Sequence, residues 1–300
     1  METRQAEVWK RLVEGRSLED LGLPTRNGRF ALSDLSLPDP EVKDRFSTNV
    51  ADVSVIPDTI QIRDSHWDSL DFSGARLKRI LFFGGRITNC IFDKCFCQSW
   101  GLWGTSVQNT SFVGADLRHA PLGAVQANRR SYFHDVNFSK ADLRGTTYTA
   151  PEFLRCKFNN AKLKKVDFQG STFVDCSFEG KLEEVIFNRK GFRGEEFPPN
   201  EMINIDFSQA TLRAVEFRGI DISRIKLPAD REHLILSRES LDTIRTAFAS
   251  SEVMNFRRLN AYLSVIRKWA GPKAILHSRD IEDLAGREGL AKIQQLLKTG

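Results

Sequence analysis

An apolar residue recurs at every fifth position over more than half of this 300-residue chain, from Ile62 to Leu227. A period of five matches neither the α-helix, which repeats every 3.6 residues, nor the β-strand, which repeats every two. A short fixed period instead indicates stacked structural units that share one continuous core. Three runs make up this ladder, and they extend over residues 62–122, 133–178 and 182–227.

The residue two places before each apolar centre is usually small, as at Ala75, Ala115 and Ala141. A large and a small residue that both point inward, with polar residues between them, describe one flat side of a narrow coil. We predict that the core includes the following centres: Phe72, Leu77, Phe92, Phe112, Leu117, Phe138, Leu143, Phe158, Phe168, Phe207, Leu212 and Phe217.

The pattern A-[DN]-[LF]-x-x is clearest in the segments that begin at Ala75, Ala115 and Ala141. These segments resemble the pentapeptide-repeat family over roughly residues 60–228. The resemblance implies a mainly β fold, a right-handed quadrilateral β-helix. In such a β-solenoid, four sides of five residues form one coil, so this repeat would make about eight coils.

The sequence divides into three predicted segments. Residues 1–59 combine an amphipathic stretch, Ala6 to Leu12, with loops, and we expect them to cap one end of the repeat. Residues 60–228 are the predicted β-helix. In residues 229–300 the period of five stops and helical spacing begins, which predicts an α-helical bundle that serves for capping or for oligomerisation.

Composition favours a cytoplasmic protein. No apolar run approaches the roughly 18 residues of a membrane span, and five cysteines, an odd number, fit a reducing compartment. The cysteines lie at inward positions of the repeat and are predicted to be buried thiols.

The sequence predicts that the protein is not an enzyme. It contains no nucleophile elbow, phosphate-binding loop or metal-ligand spacing, and its five histidines are scattered. We therefore expect no catalytic residue, no metal site and no cofactor.

The candidate interaction surface lies where the ladder is interrupted. Phe83 and Trp103 should stack one coil apart on the exterior, unless a flanking segment covers them. The other interruptions are near Trp100, which is too large for its inward slot, at residues 123–130, and at residues 188–202, which form either a coil or a protruding loop. These interruptions supply six candidates: Trp100, Arg129, Arg130, Arg189, Lys190 and Arg193.

Two functions follow from this reading. The first is a protein-interaction scaffold with a protein partner of unknown identity and a possible homodimer through residues 229–300. The alternative is implied by the family resemblance: binding of a type II topoisomerase such as DNA gyrase, and protection from drugs, by mimicry of DNA. Residues 60–228 carry 24 Lys and Arg against 19 Asp and Glu, and this basic balance disfavours mimicry of phosphates. Nucleic-acid binding is not expected, because the basic residues form no continuous stripe of one charge sign, and no membrane partner is expected.

Overall fold

The structure, a computed structural model, describes residues 2–35, 59–190 and 197–299. Across the repeat, short strands pair in parallel with a strand about one coil further along the chain. Ile62 lies opposite Phe82, and Trp67 lies opposite Ile87, which is a register of twenty residues. The repeat is therefore built from parallel sheets, as the sequence predicts.

Four parallel sheets run along the repeat. One has four strands: β3 (Ile60–Arg63), β6 (Ile80–Phe83), β8 (Gly101–Trp103) and β10 (Leu122–Ala124). The next has six: β4 (His66–Asp68), β7 (Arg86–Thr88), β9 (Ser106–Gln108), β11 (Tyr132–His134), β12 (Glu152–Leu154) and β15 (Thr172–Val174). Two have three strands each: β13 (Leu163–Lys164), β16 (Ser177–Glu183) and β18 (Asp206–Arg213), then β14 (Asp167–Phe168), β17 (Ile186–Asn188) and β19 (Glu216–Arg218).

The period of five has a backbone cause. The residue two places after an inward centre adopts a left-handed conformation, with φ of 47° at Asp64, 55° at Asn89 and 61° at Gly104. A left-handed residue turns the chain sharply, so each one forms a corner between two adjacent sides of the repeat. Because the corners are five residues apart, each segment has one inward centre, and the second inward position, two residues before it, is usually small.

The core is a stack of aromatic rings. In one column, the centroids of successive phenylalanine rings lie 4.7 to 5.4 Å apart, with nearly parallel planes. Each such pair adds roughly 0.5–1.5 kcal/mol beyond the burial of its area. The stacked residues are Phe72, Phe92, Phe112, Phe138, Phe158, Phe178 and Phe207. Each predicted core residue, from Phe72 to Phe217, is buried.

The N-terminal segment covers the first end of the repeat. Helix α1 (Glu2–Glu14) buries Trp9 against Trp67, with ring centroids 6.4 Å apart. The Leu12 carbonyl accepts hydrogen bonds from the Ser65 hydroxyl (2.8 Å) and the Trp67 indole (3.0 Å). A 3₁₀ helix (Glu19–Leu21) and a hairpin of β1 (Thr25–Arg26) and β2 (Arg29–Ala31) follow. Strand β2 pairs in parallel with β5 (Leu70–Asp71), so it extends one sheet past the first coil.

The C-terminal segment contains helices, as predicted, and also two strands that the sequence reading missed. A 3₁₀ helix (Ile222–Arg224) precedes β20 (His233–Ser237), α2 (Arg238–Ala249), α3 (Met254–Trp269), β21 (Lys273–His277) and α4 (Ser278–Thr299). Strands β20 and β21 pair antiparallel. None of the helices in the described ranges is long and apolar enough to cross a membrane.

The C-terminal segment supplies acceptors to the last coil of the repeat. The Leu212 amide donates to His233 Nε2 (3.0 Å), the Ala214 amide to Asp280 Oδ2 (2.7 Å) and the Gly219 amide to the Trp269 carbonyl (2.7 Å). If the repeat continued, carbonyls of the next coil would accept hydrogen bonds from the amides at this edge. These contacts agree with capping, while the boundaries at residues 59 and 228 stay a prediction.

Two insertions interrupt the ladder. Leu122 and Phe133 occupy neighbouring sides of one coil, although eleven positions separate them. Phe187 and Met202 are also on neighbouring sides. Phe187 lies in the column of Phe168 and Phe217. Met202 lies in the next column, that of Phe173, because the Ile203 amide donates to the Phe173 carbonyl (3.1 Å).

Met202 therefore follows Phe187 directly in the ladder, and the described residues between them, 189–190 and 197–201, form no side of a coil. The continuous period through Phe192 and Phe197 is wrong for Phe197, which is only half-buried and lies outside the ladder. Phe192 lies outside the described residues.

Candidate functional site

Both insertions leave the repeat at the same corner. This corner, which we call the loop corner, joins the side that begins with β3 to the side of the six-stranded sheet. Asp64, Gly84 and Gly104 form it in the first three coils. Residues 125–130 protrude from it in the fourth coil, and three coils later the chain leaves it at residues 189–190 and returns at residues 197–201.

The 125–130 loop is a small hairpin of its own. The Gln126 amide donates to the Arg129 carbonyl (2.9 Å), and the Arg129 amide donates back to the Gln126 carbonyl (2.8 Å). Between them Ala127 and Asn128 have φ of 46° and 59°, as the two central residues of a type I′ turn require. These two backbone hydrogen bonds fix the shape of the loop.

The hairpin folds back towards the N-terminal end of the repeat and packs on the loop corner. A Cβ atom at Gly104 would lie 3.3 Å from Gln126 Cβ, and one at Gly84 would lie 2.8 Å from the Arg129 guanidinium. The Arg129 guanidinium reaches Asp64 in the first coil at 3.4 Å. The glycine corners therefore allow the loop to lie along three coils.

Arg130 anchors the base of this loop and is not a surface residue. Its guanidinium donates to the carbonyls of Ala150 and Pro151 (both 2.8 Å) and to the Thr172 hydroxyl (2.7 Å). Only 4% of the residue is exposed, and this burial lowers the pKa of Arg130. The prediction that Arg130 contributes to an exposed interaction surface is wrong, because its guanidinium donates inward to two carbonyls of the next coil and to a hydroxyl of the coil after it.

The second loop closes on itself and approaches the first. The Asn200 amide donates to the Arg189 carbonyl (2.8 Å), and the Arg189 side chain pairs with Glu201. The guanidinium carbon of Arg130 lies 5.5 Å from the centre of the Phe197 ring, so the two loops are linked along the loop corner. Of the predicted surface residues here, Arg189 is half-buried, Lys190 is exposed and Arg193 lies outside the described residues.

A groove separates the 125–130 loop from the outer face of the six-stranded sheet. Its volume is about 530 Å³. The floor is a row of outward residues that directly precede successive centres of one column: His66, Arg86, Ser106 and Tyr132. The wall comes from Asn128 and Arg129. The structure thus brings predicted Arg129 together with four residues from separate coils and with Asn128.

The sequence reading missed most of this groove. The sequence pattern did not select His66, Arg86, Ser106, Asn128 or Tyr132. A usable signal existed, because the four floor residues occupy the same repeat position in consecutive coils. Reading the outward positions in the coil register would have placed them in one row.

The predicted aromatic surface is largely internal. Phe83 and Trp103 do stack, with centroids 4.7 Å apart, but Phe83 is 2% exposed and Trp103 is half-buried. The Arg63 guanidinium also lies over the Phe83 ring, at 4.5 Å. The expectation of an exposed pair is therefore wrong for Phe83.

Trp100 is completely buried, so the expectation that it is too large for its inward slot is also wrong. Its ring packs edge-on against Phe92, with centroids 5.1 Å apart, and its indole N–H donates to the Leu77 carbonyl. The neighbouring centres Cys97 and Val107 are smaller than phenylalanine, which leaves volume for the indole.

Residues that could hold a metal do not gather in the described ranges, where no group of three or more His, Cys, Asp or Glu side chains is placed to bind one. The thiols of Cys90, Cys95, Cys97, Cys156 and Cys176 are buried and unpaired.

The register, corners and inward ladder define a class of parallel β repeat protein in which every segment is five residues long. The family model for pentapeptide repeats (8 copies) matches residues 152–180. The predicted resemblance to pentapeptide-repeat proteins is therefore confirmed over this stretch of the chain.

Several solved structures resemble part of this chain. Full-length QnrB1, a plasmid-mediated fluoroquinolone resistance protein, is 18% identical over 56% of this chain and 82% of its own, with a TM-score of 0.23. HetL from the cyanobacterium Nostoc, a pentapeptide-repeat protein involved in the regulation of heterocyst differentiation, is 17% identical over 56% of this chain and 85% of its own, with a TM-score of 0.20. No curated protein matches the sequence.

Proposed function

We propose that this protein is a non-enzymatic interaction scaffold. In this proposal the repeat is a right-handed quadrilateral β-helix of about eight coils, and a protein partner binds at the loop corner. The observation that carries the proposal is that both insertions leave the same corner and the first is pinned to form a groove. Loops held by a rigid frame are where repeat proteins usually place their binding residues.

The charges on the repeat support a scaffold more than a mimic of DNA. Many acidic side chains on its exterior are paired with basic ones: Asp116 with Arg118, Asp135 with Arg155, Asp142 with Arg144, Glu183 with Lys164 and Lys181, and Asp206 with Lys226. Mimicry of a phosphate backbone needs rows of uncompensated negative charge. Topoisomerase binding therefore stays the second candidate, with no observation in its favour.

The experiment compares partners captured by three forms of the protein in cells that produce it. The groove variant carries Arg86→Ala and Arg129→Ala, and the control carries Lys157→Ala and Lys162→Ala, which removes two exposed cations elsewhere on the repeat. After in-cell crosslinking and mass spectrometry, we expect partners that wild type and control retain and that the groove variant loses. If the groove variant retains the full set, the loop corner is not the binding surface.

A supercoiling assay tests the topoisomerase candidate separately. DNA gyrase is assayed with and without a fluoroquinolone, in the presence of micromolar wild-type protein or the groove variant. Inhibition or drug protection by the wild type would identify the partner as a topoisomerase. If neither occurs, that candidate is eliminated and the scaffold proposal is unaffected.

A further inference from the structure

We propose that the groove binds an extended acidic segment of a partner protein, with an Asp or Glu carboxylate of that segment held by Arg86. This inference rests on the proposed scaffold function and adds the chemistry of the partner. It depends on which groups in and around the groove already have hydrogen-bonding partners.

The acidic side chains around the groove are already paired. Asp64 faces the Arg129 guanidinium at 3.4 Å. Asp68 accepts hydrogen bonds from Ser69, Thr88 and Asn89. Glu152 accepts from His134 at 2.9 Å and lies 3.9 Å from Arg130.

Arg86 is the contrasting case. Its side chain is exposed in the middle of the floor, and no hydrogen bond or ion pair joins it to any residue of the described ranges. An arginine guanidinium has five N–H donors in a planar fork that matches a carboxylate in two parallel hydrogen bonds. The groove therefore contains a cation without an internal counter-ion.

The neighbours of Arg86 are also donors. The Ser106 hydroxyl already accepts from the Gln108 amide at 3.0 Å, which leaves its own O–H free to donate. The Tyr132 phenol and the Asn128 amide are exposed at the far end and on the wall. Together with the Arg86 cation, these donors favour a ligand rich in acceptors, such as a chain of carboxylates and backbone carbonyls.

The dimensions suit an extended peptide. The floor has four residues, one from each of four successive coils. At a strand spacing of about 4.8 Å, the row is roughly 14 Å long. An extended chain rises about 3.3 Å per residue, so four or five residues fill the floor. Because hydrogen bonds and Arg130 already fix the 125–130 loop, little ordering is needed when a peptide binds.

The test measures direct binding of defined peptides by fluorescence anisotropy. The acidic probe is a labelled octapeptide of alternating Glu and Ser, and the matched probe replaces Glu by Lys. The proteins are wild type, Arg86→Gln and the control Lys162→Gln, each at low ionic strength and at 0.15 M salt. Arg86→Gln keeps a polar side chain and removes the charge, and Arg86 is not part of the core, so folding should be unaffected.

We expect the wild type to bind the acidic probe and not the basic one. Arg86→Gln should weaken binding by about tenfold or more, the size of one charge-assisted bidentate contact, whereas Lys162→Gln should change it less than about twofold. Added salt should weaken binding because the groove is open to solvent.

Several results would overturn the inference. They are equal binding by wild type and Arg86→Gln, equal binding of the two probes, no binding of the acidic probe, and displacement by equimolar inorganic phosphate or duplex DNA. If partner capture in cells depends on Arg86 and Arg129 but the acidic probe does not bind, the scaffold proposal stands and only the acidic segment is rejected.

Discussion

Arg129 and Arg130 are neighbours in the sequence with opposite structural roles. The Arg129 side chain is about half-exposed and pairs with an exposed Asp64, an arrangement that contributes little to stability. Arg130 is buried and satisfies two backbone carbonyls and a hydroxyl. The difference arises because the type I′ turn ends at Arg129, so the chain re-enters the repeat at Arg130.

Replacing Arg130 should therefore destabilise the protein far more than replacing Arg129. Arg130→Ala removes the side-chain donor of the buried Ala150 carbonyl and one of the two donors of the Pro151 carbonyl, which keeps the Thr172 amide, at a cost of about 1–3 kcal/mol in the free energy of unfolding. Arg129→Ala should cost less than about 0.5 kcal/mol. Denaturant midpoints of both variants check this, and equal losses would contradict the anchoring role of Arg130.

The cysteines supply a second prediction for single residues. Burial raises the pKa of Cys90 to about 12 and also raises the pKa of Cys97 and Cys156. Since the thiolate is the nucleophile, these thiols should react with Ellman's reagent only when the protein unfolds. We expect little colour from native protein at pH 8 and five equivalents in guanidinium. Rapid reaction of the native protein would show that the inward ladder is open to solvent.

At the scale of elements, two histidines lie side by side where the C-terminal segment meets the repeat. His233 Nε2 accepts from the Leu212 amide, and His277 Nδ1 accepts from the Arg279 amide at 3.1 Å. The rings meet edge-on, with centroids 4.9 Å apart. The Nδ1 of His277 cannot accept from the Arg279 amide and also carry a proton, so protonation of His277 should weaken this junction.

The pKa of His277 is lowered, first by its burial and then by His233; Arg213 acts in the same direction, while Asp280 and Glu232 oppose it. The unfolded chain therefore takes up this proton at a higher pH than the folded protein does. Stability should be fully present above about pH 6.5 and fall below it, with a slope of up to roughly 1.4 kcal/mol per pH unit from this residue.

Melting temperatures measured from pH 8 to pH 5 test this expectation. His277→Asn is the matched variant, because an amide oxygen can accept from the Arg279 amide and does not titrate. It should melt with a shallower dependence on pH below 6.5 than the wild type does. An unchanged slope would show that His277 does not contribute to the pH dependence.

The sequence predicted the elements that obey a period and misplaced those that do not. The ladder was readable because each left-handed corner recurs after five residues. The prediction included Phe197 because it lies a multiple of five residues from Phe187 in the sequence, but its side chain is not an inward centre of the repeat. Strands β20 and β21 were missed because a short apolar run such as Ala274, Ile275 and Leu276 fits a strand or a buried helix turn equally well.

The candidate groove was harder to predict than the core. Arg129 was selected because it interrupts the ladder, whereas Arg86 and Tyr132 lie in regular stretches and look like ordinary surface residues. What makes them a site is the hairpin that folds back across three coils. That docking depends on the glycines at positions 84 and 104 and on a contact with Asp64, which is 65 residues away from Arg129 in the chain.

For the whole molecule, the open question is the role of residues 229–300. A stack of parallel coils has unpaired strand edges at its two ends, and such edges promote association. The C-terminal segment satisfies amides of Leu212, Ala214 and Gly219 and places Ile275 in the core of the repeat. Helix α3 also leaves Met254 and Val265 about half-exposed, which is the apolar surface a dimer would use.

Truncation after Pro228 separates capping from oligomerisation, because the two roles predict opposite changes in mass. If the segment caps the repeat, its removal bares the last coil, and light scattering after size-exclusion chromatography should show a larger, concentration-dependent mass than the full chain. If it mediates dimerisation, the mass should fall from two chains to one. The double variant Met254→Ser with Val265→Ser is the control, since it alters only exposed positions. We expect the full chain and this variant to have equal mass and the truncated chain to associate; a smaller truncated species, with the double variant also reduced in mass, would establish oligomerisation instead.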